Sequence, residues 1–227
     1  MAVAQIPANQ VNSIAANAQT SWPGVWGAAS GNIQPPPSTQ DAWVSQQPGR
    51  SGIIYNLARI FAIFDTSAYA GTITAVDLVF DNLGSPNTSM DVIAVESVAY
   101  GNTPTGPLTP TDYSAINWAQ TYTAQTAIPT AGTYVLTGNA NLVALANTGT
   151  ANIAIINGSY DQQNIDPAGQ PWTEIYLDID EQNLATTFLD VTYTPAGYGN
   201  DVNGVASANI SSINAVATAN ISQVNGI

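Results

Sequence analysis

The chain has 227 residues, with 15 Asp or Glu against two Lys or Arg, a formal net charge of −13, and neither His nor Cys. Those zeros exclude a His-based triad, a Cys nucleophile and zinc sites built on Cys or His. The two cations, Arg50 and Arg59, are too few to displace counterions from phosphates, so nucleic acid is excluded as a partner.

Hydrophobic residues make up 45% of the chain, enough for a core and too much for a disordered acidic polymer. With 7% charged residues, the surface must be built from Asn, Thr, Ser, Gln and Ala. Such groups lose little hydration when a second subunit covers them, which suits permanent assembly. The opening Met1-Ala-Val-Ala-Gln-Ile-Pro7 has neither the basic start nor the apolar run of a secretory leader. No stretch approaches the roughly eighteen apolar residues of a membrane span, so no membrane partner is expected.

Residues 1–50 read as an extended N-terminal arm. Pro7, Pro23, Pro35-Pro36-Pro37 and Pro48 interrupt any periodic pattern, and Trp22, Trp26 and Trp43 fall at irregular intervals. Consecutive prolines favour an extended backbone without internal hydrogen bonds. Three Trp are a large apolar load to leave in water, so the arm is expected to dock through them on its own domain or on a neighbouring subunit.

Residues 51–196 carry strand patterns. Arg59-Ile-Phe-Ala-Ile-Phe64 is bounded by Asp65-Thr66-Ser67, and Thr72 to Phe80 alternates polar with apolar until Asp81-Asn82. Met90–Tyr100, Gly132–Thr137, Asn152–Asn157, Trp172–Asp180 and Thr186–Thr194 are further strands between turn residues. Two pieces read as helical, Thr111–Ile116 after Pro110, and Asn139–Ala146. Strands without regularly interleaved helices predict an all-β, antiparallel jelly-roll or β-sandwich body.

Residues 197–227 form a short tail with an eleven-residue repeat: Val202-Asn-Gly-Val-Ala-Ser-Ala-Asn-Ile-Ser-Ser212 is followed by Ile213-Asn-Ala-Val-Ala-Thr-Ala-Asn-Ile-Ser-Gln223, and a third copy opens at Val224. Val11-Asn-Ser-Ile-Ala15 resembles a fragment of the same unit. A right-handed supercoil suits the period, but Asn-Gly prefers a turn, which favours short extended pieces alternating with helical turns. Val205, Ile210, Val216 and Ile221 are the apolar contacts such a unit offers, to its copies, to a partner or to a small core of its own.

Catalysis would have to run on carboxylates, hydroxyls or Tyr. Glu96, Glu174 and Glu181 form no recognisable acid/base pair, no catalytic residue is assigned, and the chain is not expected to be an enzyme. Asp178, Asp180 and Glu181 could offer oxygens to a hard cation, but they also suit a solvated strand face; Asp161 and Asp166 suggest even less, and no metal or cofactor is expected. Tyr100, Tyr113, Trp118, Tyr122, Tyr160 and Trp172 raise sugar stacking beside the alternative of core filling and subunit contact. Arg59 opens an apolar strand, so its guanidinium should be a partly buried structural staple with Asp65, Asp77 or Asp190 as carboxylate partners.

Arg59-Ile-Phe-Ala-Ile-Phe-Asp-Thr-Ser67, with Gly71–Leu78 and the closing Phe188–Pro195, resembles a family of carbohydrate-binding-module-like jelly rolls found in bacterial surface proteins and in structural proteins of tailed bacteriophages. The Val-Asn-Gly-Val-Ala-x-Ala-Asn-Ile unit is similar to a repeat at the ends of phage virion proteins. The resemblance implies a structural virion protein on the capsid exterior, a head decoration or head fibre. It would be a homo-oligomer, a trimer by analogy with capsid decorations, and would contact the major capsid protein or other virion proteins. The alternative is a tail-fibre or tail-tip module binding host-surface glycan.

Overall fold

The computed structural model describes residues 1–34, 39–50, 52–83, 90–167, 175–180, 183–195, 212–213 and 216–217. The fold is organised around one long strand, β5 (Gly52–Asp65), in which every residue from Leu57 to Phe64 is buried. A strand covered on both faces needs no polar/apolar alternation and reads as a continuous apolar run. On β5, Leu57, Phe61 and Ile63 enter one core, and Ile60, Ala62 and Phe64 another.

Strand β2 (Gln10–Gln19) runs antiparallel along one edge of β5, with Gln10 opposite Ile63 and Ala15 opposite Ala58. The other edge is shared end to end by β4 (Thr39–Gly49), with Trp43 opposite Ala58, and β11 (Thr150–Asn157), with Ile155 opposite Ile60. Beyond β4 lies β12 (Ile175–Asp180). Beyond β11 lie β7 (Met90–Ser97), then β8 (Ile116–Thr121) and the short β9 (Thr126–Ile128). The two-residue β3 (Asn32–Ile33) pairs with β2.

A four-stranded antiparallel section closes the sandwich, in the order β1 (Ala2–Pro7), β13 (Phe188–Tyr193), β6 (Ile73–Asn82) and β10 (Gly132–Thr137). The pairing of Ile179 on β12 with Asn82 on β6 joins it to the rest, so thirteen strands form one hydrogen-bonded antiparallel network, and an isolated bridge between Gly138 and Thr123 adds a second link. Its inward side chains, Ile6, Leu78, Phe80, Leu136, Leu189 and Val191, share the first core with Ile60, Phe64, Val92 and Ile153. The protein is thus an all-β antiparallel sandwich. Outside the β5–β11–β7 face lies a second core, covered by α1 (Trp22–Trp26) and by the loops at 99–102 and 110–114.

The described residues among the first fifty are mostly strand, with Pro23 inside the short helix α1 and Pro35-Pro36-Pro37 outside the described residues, and of the two docking options it is their own domain that they join. β1 pairs residue for residue with β13, and β4 turns directly into β5 across Gly49–Gly52. Position 50 is therefore a hairpin tip rather than a boundary between arm and body. Gln, Asn and Ala in β1 and β2 hide the strand pattern, because small and amide side chains fit tight layers without announcing themselves as apolar.

In the body, Gly132–Thr137 forms β10 as predicted. Residues 110–114 form one 3-10 turn, and the chain becomes β8 by Ile116. Asn139 caps α2 (Ala140–Ala146): its side-chain oxygen accepts from the backbone N–H groups of Asn141 and Leu142, and its amide donates to the Thr121 carbonyl. Replacing Asn139 with Ala should cost about 1 to 2 kcal/mol in urea unfolding; an unchanged midpoint would show the cap to be inert. In the tail, Ser212–Ile213 (β14) pairs antiparallel with Val216–Ala217 (β15), so the repeat is extended there. Val205, Ile210 and Ile221 lie outside the described residues.

Candidate functional site

Alternation along β5 sends Arg59 into the second core between Leu57 and Phe61, where it is 1% exposed. An isolated guanidinium there would be very costly, so its donors need partners. Nε and Nη2 donate to the two carboxylate oxygens of Asp161 at 2.9 and 2.8 Å. Nη1 donates to the Tyr113 carbonyl at 2.8 Å, and Nη2 also to the Trp26 carbonyl at 3.1 Å. Asp161 is 0% exposed, and its forked contact matches the planar fork of arginine. The cation lies 4.2 Å from the Tyr113 ring centre and 5.0 Å from that of Trp118, which adds attraction to the ring faces. Burial opposes the charge on Arg59, but Asp161 and Tyr113 beside it overcome this and hold its pKa above the ordinary arginine value.

The pair ties the loop layer to the sheet. Trp26 Nε1 donates to the Asp161 carbonyl at 2.8 Å, Trp22 Nε1 to Asn164 at 3.0 Å, and Tyr113 OH to the Val25 carbonyl at 2.8 Å. From the adjoining loop, Tyr100 OH donates to the Phe61 carbonyl at 2.8 Å. Tyr100 and Asn102 adopt left-handed backbone on either side of Gly101, a conformation that costs non-glycine residues roughly 1 kcal/mol each and persists where surrounding packing fixes it. Desolvation raises the pKa of both Tyr100 and Tyr113 well above the ordinary tyrosine value.

Arg59 is a buried staple, as its position predicts, but its partner is Asp161 and none of Asp65, Asp77 or Asp190. Asp65 lies six residues further along β5, roughly 20 Å at strand spacing. It is exposed and accepts from the Ser67 backbone N–H, and its hydrogen bonds with Ser67 lower its pKa. Asp77 and Asp190 face each other across β6 and β13 in the other section of the sandwich. Asp161 is 102 residues from Arg59, and no local pattern links the two.

Trp22 and Trp26, expected as contact residues, are engaged within their own chain; Trp43 is half-buried on β4, opposite Ala58 and Tyr176. Of the aromatic set, Tyr100, Tyr113 and Tyr122 are buried, Tyr160 is half-buried, and Trp172 lies outside the described residues. Trp118 stacks on Trp26 with ring centres 5.2 Å apart, both half-buried. Asp178 stands opposite Asp41, Glu96 accepts from Asn117, and Asp166 accepts from Tyr55 OH; Glu174 and Glu181 lie outside the described residues. Among the described residues no three carboxylates gather to hold a metal, and no helix is long and apolar enough to cross a membrane. Val216 lies in β15.

The Arg59 cluster carries a satisfied charge pair and a two-ring aromatic ledge, a geometry suited to fixing loops. No family model, curated protein or solved structure matches the chain.

Proposed function

We propose that the protein is a structural component of a tailed-phage virion, a head decoration or head fibre that sits on the capsid exterior. It acts there through contacts with copies of itself and with the major capsid protein. The observation that carries this reading is the internal use of Arg59: once it is buried with Asp161, Arg50 is the one arginine left outside that pair, in a chain without lysine. Such an exterior repels packaged DNA and suits the outer side of a capsid. Its sparsely charged polar surface costs little to desolvate against another protein. The resemblance of the Arg59 strand and of the C-terminal repeat to phage virion proteins supports the same reading.

The test is to locate the protein by labelled antibody in images of whole particles. Label on the head is expected, and absence from particles overturns the reading. Deleting residues 202–227 should abolish incorporation; normal incorporation would remove the tail from the attachment role.

The Trp26–Trp118 stack favours a second reading, a tail-fibre or tail-tip module that binds host glycan. Saturable binding on a glycan array, lost in Trp118→Ala while the fold persists, would replace decoration with receptor recognition.

A further inference from the structure

The four-stranded section β1-β13-β6-β10 ends in two strands whose outer edges pair with no other strand among the described residues; the chain meets the β10 side only past the strand's end, where Gly138 is bridged antiparallel to Thr123. A free edge presents a row of backbone donors and acceptors that invites another strand, and soluble proteins blunt such edges with charges, bulges or very short strands. Of the other edges, that of β2 is covered by β3 only at Ile14 and Ala15, that of β12 carries Asp178 and Asp180, and the rest are blunted. β3 has two residues and β9 three, and β8 is broken by a register shift at Val95/Glu96. β1 and β10 are each six residues long, pair with β13 and β6 in unbroken register, and contain no charged residue.

The two edges also match each other. Successive strands of the section are antiparallel, so β1 and β10 run in opposite directions, and β10 of one copy can receive β1 of the next as another antiparallel strand. Val3, 67% exposed, and Val135, 54% exposed, stand on these two strands. By the pairing registers they share the outward face, in line with Thr192 and Ala75 and with Val79 and Phe188. Copies that each carry a net charge of −13 repel, which leaves strands without carboxylates as the places where they can meet.

We propose that β1 and β10 are the self-association edges of the protein, with β10 of one copy pairing antiparallel with β1 of a second copy so that the sheet continues across subunits. The contact is heterologous, so each copy keeps one free edge until rotation closes a ring. The inference rests on the self-association half of the proposed function and names its surface.

Because the chain has no Cys, disulfide trapping reads this contact directly. Val3→Cys is combined in turn with Thr133→Cys, Val135→Cys and Thr137→Cys, the outward positions of β10, so that any register keeping the outward faces together brings one pair opposite. Covalent oligomers are expected on mild oxidation in one double variant, and none in the single variants. In light scattering of the uncrosslinked protein, Val3→Lys and Val135→Lys should each reduce the oligomer to folded monomers with unchanged circular dichroism.

A monomeric wild-type protein overturns the proposal, as do oligomers that survive both lysine variants. Dimers from Val3→Cys alone overturn the β10-to-β1 contact, and oligomers lost only on deleting 202–227 assign self-association to the tail. Absence from virions would defeat the phage reading without touching these solution results, and monomeric behaviour would leave virion location to the imaging.

Discussion

Replacing Arg59 with Ala is expected to cost about 3 to 5 kcal/mol of folding stability, a large part of the roughly 5 to 15 kcal/mol available to a domain. Three losses add up at one place. Asp161, fully buried, loses the forked donor that satisfied its carboxylate, and the carbonyls of Tyr113 and Trp26 lose the N–H groups that satisfied them. The rings of Tyr113 and Trp118 lose the cation beside them. Urea unfolding measures the loss, and Asp161→Asn should be nearly as harmful because it strands the guanidinium. The double variant Arg59→Met with Asp161→Leu should recover much of the deficit, since an apolar pair of similar volume carries no desolvation cost. An Arg59→Ala protein with the parental melting temperature would show the pair to be dispensable.

Alkali should unfold the protein steeply from about pH 10. In the unfolded chain tyrosine ionises near pH 10.0, whereas desolvation raises the pKa of Tyr100 and Tyr113 in the fold. Above pH 10 the native state therefore binds more protons than the unfolded state, and stability falls as pH rises. The stabilisation these two groups give is fully present below their unfolded pKa and is lost on the way up to the folded one. Each contributes a slope of about 1.4 kcal/mol per pH unit, so the pair removes roughly 5 kcal/mol by about pH 12. Tyrosinate absorbance should appear together with loss of circular dichroism. Tyrosinate signal from all tyrosines while the sheet signal persists would show that these rings are not sealed. Tyr100→Phe should flatten the slope, at the cost of the hydrogen bond to the Phe61 carbonyl.

The parts of the fold legible from sequence are those in which burial leaves a coarse mark. The Arg59–Phe64 run, the alternation through Phe80 and the turn-bounded Gly132–Thr137 all became strands. What escaped was carried by small and amide residues: Ala2–Pro7 and Gln10–Gln19 hold their places by ladder hydrogen bonds and close approach, which leave no hydropathy signature. The Pro and Trp of the first fifty residues were read as an appendage, although Trp22 and Trp26 belong to the covering of a second core. For the site, Arg59 stood out because a lone cation in an apolar strand requires an anion. Asp161 did not, because its role exists only once β5 and the turn after β11 meet in space.

The meeting of residue 2 with residue 193 has a consequence for synthesis. β1 leaves the ribosome first, yet its partner β13 is made almost two hundred residues later, and β5 likewise waits for β11. β2 and β4 are already made when β5 emerges, but the edge of Ile60–Asp65 that β11 covers stays unpaired until Thr150–Ile155 is made, a pairing of high sequence separation that forms slowly and exposes adhesive backbone meanwhile. Truncation anywhere before Phe188 leaves β1 without its template. Soluble yield should consequently rise when translation is slowed by cooling, and C-terminal fragments that begin after β2 should aggregate.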